Sequence, residues 1–100
     1  MTIFSVNSKH TPESCPMFND EVKQKFKDLV GKREEIAKKQ GLKVISAYTS
    51  ILDHLIFLIV DAPSQQAVER YLIESGFAFW NDVEIRQVQL VEDVIKRVVG

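Results

Sequence analysis

The chain has 100 residues, 45% of them hydrophobic and 27% charged. By size scaling that is one domain, burying roughly 65% of its unfolded surface, and not a disordered or membrane-spanning chain. A net charge of −1 offers no bulk attraction to nucleic acid or anionic membrane, and a single cysteine excludes a disulfide framework and a complete zinc finger.

Thr2 to Lys9 alternates, with Phe4, Val6 and Ser8 on one side and Ile3, Ser5 and Asn7 on the other. The pattern predicts a strand with one strongly apolar face. His10 to Pro16 holds two prolines and reads as a loop. From Phe18 the period changes: Val22, Phe26, Leu29, Val30, Arg33, Ile36 and Ala37 recur at helical steps. Asn19 is the expected N-cap and Gly41 the stop. Gly31 interrupts an otherwise helical pattern, with close packing as one reason for a glycine there. The charges of this helix, Arg33-Glu34-Glu35 and Lys38-Lys39 among them, read as a solvated face.

Leu42 to Leu52 and Leu55 to Val60 predict a hairpin around Asp53-His54. The second of these runs is apolar on both faces, as a central strand should be. Ser64 caps a helix to Ser75, with Ala67, Val68, Tyr71 and Leu72 as its apolar stripe and Gly76 just past its end. Asp82 to Leu90 reads as a fourth strand. Val91 to Val99 reads as a short closing helix with Val94, Ile95 and Val98 inward.

Strand, helix, strand, strand, helix, strand is the α+β, ferredoxin-like order: a four-stranded antiparallel sheet with two helices on one face. The whole chain, 1–100, forms this one domain. The other sheet face lacks cover, and a homodimer packed sheet to sheet supplies it. The alternative is that the C-terminal segment folds over that face. No phosphate loop, dinucleotide fingerprint or nucleophile elbow is present. The apolar setting of Phe4 and Phe57 argues against RNA binding, so neither nucleic acid nor membrane is an expected partner. The start of the chain has no basic region followed by a long apolar stretch, which predicts no signal peptide and a cytoplasmic location.

This topology gathers His10, Glu13, Cys15, His54, Phe77, Phe79, Trp80 and Asp82 at one end. Two imidazoles and a thiolate, from His10, His54 and Cys15, suit a zinc or copper ion, with Glu13, Asp53 or water as a fourth ligand. In a second reading, Cys15 is a nucleophile favoured by the following helix, which Pro16 would start, and Glu13 or a histidine moves protons on an organic substrate. Phe77, Phe79 and Trp80 would then line the ligand pocket. A third reading makes the protein structural, with Cys15 a buried hydrophobe, His54 a turn residue and the aromatics core. Arg70, Arg86 and Tyr71 carry no motif.

The layout and the segment His-Thr-Pro-Glu-Ser-Cys-Pro at 10 to 16 resemble small stand-alone prokaryotic proteins of the dimeric α+β barrel superfamily. The resemblance implies two sheets facing each other across a two-fold axis, and ligands between sheet and helices. Its better-known members include cofactor-independent monooxygenases, haem-degrading and isomerase-like enzymes and ligand-sensing domains. No motif here selects among them, so the expectation is a small-ligand or metal-binding homodimer, with a monooxygenase- or isomerase-like enzyme as the alternative.

Overall fold

Phe4, Val6 and Ser8 share one face of β1 (Thr2–Lys9) and all three are buried, as strand alternation requires. The computed structural model describes all 100 residues. After β1 come α1 (Asp20–Gln40), β2 (Lys43–Ser50), β3 (Leu55–Ala62), α2 (Gln65–Glu74), β4 (Asp82–Gln87) and α3 (Val91–Val99). Short 3-10 turns cover Pro12–Ser14 and Phe77–Phe79. The sheet order is β2-β3-β1-β4 with every pairing antiparallel, which is the ferredoxin-like arrangement. No helix is long and apolar enough to cross a membrane.

The helix ends follow local chemistry. Asn19 Oδ1 accepts from the Val22 N–H at 3.0 Å, and Asp20 and Glu21 sit at the positive end of α1. Gly41 closes that helix with φ 69°, its N–H donating to the carbonyls of Ala37 and Lys38. Ser64 Oγ caps α2 by accepting from the Ala67 N–H at 3.2 Å. Gln40 and Lys39 of α1 both reach Glu74 of α2, at 3.0 and 3.3 Å. Between these helices and the sheet, Val6, Val60 and Val68 are sealed completely. Ser8, the one polar residue in the buried row of β1, donates to the Ile56 carbonyl at 3.1 Å.

Three expectations need correction. The first concerns α3, which has no buried residue: Val94, Ile95 and Val98 are exposed rather than inward. The β4 ladder ends at Gln87, so the chain leaves the sheet before α3 starts and the helix does not cover the open face. The second concerns β2, where strict alternation would set Ile45 and Ala47 against Val44, Ser46 and Tyr48, but a bulge between Val44 and Ser46 breaks it at Ile45. Val44, Ala47 and Thr49 therefore lie opposite Val60, Leu58 and Ile56, on the helix side. The third concerns the hairpin, which begins at Ile51, not Asp53, because the His54 N–H bonds back to the Ile51 carbonyl.

The uncovered sheet face carries Ile3, Tyr48, Phe57 and Ile59, each alternate to a residue of the buried rows. The chain exposes 6976 Å², against about 5,800 Å² expected for its mass. Its radius of gyration is 14.9 Å, where about 13 Å is usual for this length.

Gly31 has open space where a Cβ would lie, so no close approach requires it. Gly31→Ala is expected to stabilise the fold by about 1 kcal/mol and raise Tm by roughly 4–8 °C. Gly41→Ala is expected to cost about 1–2 kcal/mol, because Gly41 is left-handed at φ 69°. Thermal melts of the two variants check both signs.

Candidate functional site

The pairing register decides which residues meet. Lys9 lies opposite Leu55 on β3 and opposite Asp82 on β4. One step further along, His10 falls between His54 and Asn81. Its N–H donates to the His54 carbonyl at 3.1 Å, and its Nδ1 lies 3.0 Å from Asn81 Oδ1. Asn81 is buried and held in turn, since its Nδ2 donates to the Phe77 carbonyl at 3.1 Å. An amide oxygen only accepts, so Nδ1 of His10 is the donor, and in the neutral ring Nε2 carries the lone pair.

Cys15 completes the group. It ends the Pro12–Ser14 turn, and its carbonyl accepts from the N–H groups of Phe18 and Asn19. The donor atoms of His10, Cys15 and His54 all lie within 4.8 Å of one another. Tetrahedral zinc with these ligand types needs about 3.3–3.6 Å between donors, a small contraction. Cys15 is 3% exposed, and His10 Nε2 and His54 Nδ1 are buried without a hydrogen-bond partner. Buried polar atoms are nearly always paired, and these two ring nitrogens are not. His54 sits at φ 56°, a left-handed turn conformation that brings its ring back toward His10, with centroids 5.3 Å apart. Trp80 packs edge-on against the other flank of His10, at 5.2 Å, and Phe18 against His54, at 6.3 Å.

Other expected members stand apart. Glu13 is exposed, and the part of it that is engaged is its backbone carbonyl, which accepts from Asn19 Nδ2 at 2.8 Å. Asp53 accepts from Ser50 Oγ at 2.8 Å within the hairpin and is not in the cluster. Phe79 is 74% exposed and points away, because the 3-10 turn buries Phe77 and Trp80 and turns the residue between them outward. Pro16 does not start α1: a tight turn separates it from the cap at Asn19. No hydrogen bond joins Cys15 Sγ to either imidazole, although their donor atoms lie within 4.8 Å of one another.

Beside the cluster a cleft of about 770 Å³ opens between α1 and the β2–β3 half of the sheet, a size usual for small-molecule sites. It exists because α1 buries only Val22 and Ile36, while Phe26 and Val30 remain partly exposed. Ala37 above and Ala47 below are too small to close the gap. His10, Cys15, His54 and Trp80 form one end, with Tyr71 and Arg33 also on the wall. Sequence patterning passed over Asn81, Tyr71 and Arg33. Extending the β1–β4 register by one residue would have found Asn81.

No protein-family model matches the chain, and no curated protein does. Among solved structures it is similar to SCO4226 from Streptomyces coelicolor A3(2), with TM-score 0.56 and 18% identity, covering 87% of this chain and 96% of that one. It is also similar to the de novo designed protein Ferredog-Diesel, with TM-score 0.46 and 14% identity, covering 86% and 84% of the two chains. The likeness to SCO4226 shows a shared small α+β fold and carries no residue roles across.

Proposed function

We propose that this protein binds a metal ion of the zinc or copper class through His10 Nε2, His54 Nδ1 and Cys15 Sγ. The observation that carries this reading is the pair of unpartnered buried ring nitrogens beside the buried thiol. Mixed imidazole and thiolate donors suit these borderline and soft ions. Asn81 serves as the outer partner that fixes the His10 tautomer, as metal-bound histidines require. Three protein ligands leave a fourth position, and the cleft lies on that side of the cluster. An open position of this kind is used for exchangeable water or a small-molecule donor. One thiolate against a divalent ion leaves a net charge of +1, which favours an anionic or neutral fourth ligand.

The working unit in this reading is a homodimer packed through the open sheet face. Tyr48 and Phe57 are opposite each other there, with Ile3 and Ile59 beside them. The surface in excess of the size expectation, roughly 1,200 Å², is more than the ~800 Å² per partner of a standard interface.

Untagged protein expressed with added zinc or copper is expected to retain close to one ion per chain by elemental analysis. Cys15→Ser and His54→Ala should lose it while keeping the far-ultraviolet circular dichroism of the fold. Asn81→Ala should weaken affinity about 10–100-fold with all three ligands present. Wild-type protein without metal after supplementation overturns the site. In sedimentation at micromolar concentration the wild type should show twice 11.5 kDa, and Phe57→Glu a single-chain mass. A wild-type monomer overturns the dimer.

A further inference from the structure

Tyr71 is only 6% exposed, yet its hydroxyl, on the wall of the cleft, makes no hydrogen bond within the chain. The hydroxyl is not sealed from the cleft, so it is free to donate to whatever enters there. Burial pushes the Tyr71 phenol above its ordinary value, and the nearby Arg33 guanidinium draws it partly back. The phenol therefore stays protonated at neutral pH and is available as a donor. Arg33 forms no ion pair, since those present join Lys39 to Glu74 and Arg86 to Glu84. Its planar fork of N–H donors matches the two oxygens of a carboxylate. Among the lysines, arginines and acids on the cleft, Arg33, Lys38 and Lys43 are cationic and Glu34 alone is anionic.

The apolar lining of the cleft includes Leu29, Ile56, Leu58 and Phe77. Most of the lining is hydrophobic, so an apolar body suits the cleft. Phe26 stacks edge-on against Trp80 at the cluster end, 6.1 Å between centroids. Arg33 lies two helical turns further along α1, about 10 Å by helix rise.

We propose that the cleft binds an amphipathic monocarboxylate, its carboxylate held by Arg33 and the Tyr71 hydroxyl and its apolar chain directed along the floor toward the His10–Cys15–His54 end. The carboxylate accepts from the free Tyr71 hydroxyl and gives Arg33 its counter-charge. The acyl body covers the apolar surface that α1 leaves open. This site is separate from the metal ligands and does not need the ion.

Octanoate, octan-1-ol and n-octylamine are the probes, titrated by calorimetry into protein stripped with a chelator. Octanoate is expected to bind once per chain, about tenfold or more tighter than the alcohol, the difference a charge-assisted contact supplies. The amine should bind more weakly still. Arg33→Met, a change at an exposed position, should bring octanoate down to the level of the alcohol. Tyr71→Phe should weaken octanoate several-fold without changing the alcohol. Absence of octanoate binding, equal affinity for octanoate and octan-1-ol, or an unaltered octanoate affinity in Arg33→Met each overturns the proposal. Because the protein is metal-free in every arm, these outcomes are distinct from failure of the metal reading.

Discussion

The candidate site depends on one antiparallel register. β1 is paired on both sides, so the position of its last residue is set twice, against Leu55 and against Asp82. His10 then has no choice of neighbours: His54 closes one side and Asn81 the other. A slip of one residue in either ladder would turn the Phe4, Val6 and Ser8 row to the open face. Core burial and site assembly are therefore enforced by the same ladder. The buried valines at positions 6 and 60 hold the histidines in place from some distance along the strand.

The helix layer shows the opposite tendency. α2 seats four residues in the core, whereas the twice-longer α1 seats two. α1 is fixed at its ends, by the Asn19 cap and by the Gln40 and Lys39 links to Glu74, and stands off the sheet between them. A fully packed α1 would fill the cleft and seal the Tyr71 hydroxyl from anything that could meet it. The loosely covered half of the sheet thus holds the cleft, and the tightly covered half supplies the stability.

Much of this was legible in the sequence because it rests on local signals. Alternation marked β1, the three- and four-residue steps marked α1, and Asn19, Gly41, Ser64 and Gly76 marked helix ends that the structure reproduces. The meeting of His10, Cys15 and His54 followed from topology alone. What stayed hidden depends on tertiary geometry. Phe79 and Trp80 are adjacent in sequence, and only the tightness of the 3-10 turn decides which is buried. Arg33 resembles any other charge on a solvated helix until α1 is seen standing off the sheet. The apolar stripe of α3 is clear in the sequence, but a stripe predicts that a face wants cover and not that its own chain provides it.

The bulge at Ile45 bears on how the protein behaves at high concentration. β2 is an edge strand, and a flat apolar edge recruits other strands. The extra residue between Val44 and Ser46 puts the free edge out of step with any regular incoming strand and increases its local twist. The rim of the cleft can stay open to solvent and small molecules while refusing polypeptide. Restoring a regular strand by deleting Ile45 would remove that refusal, and the same opening would become a nucleus for edge-to-edge assembly.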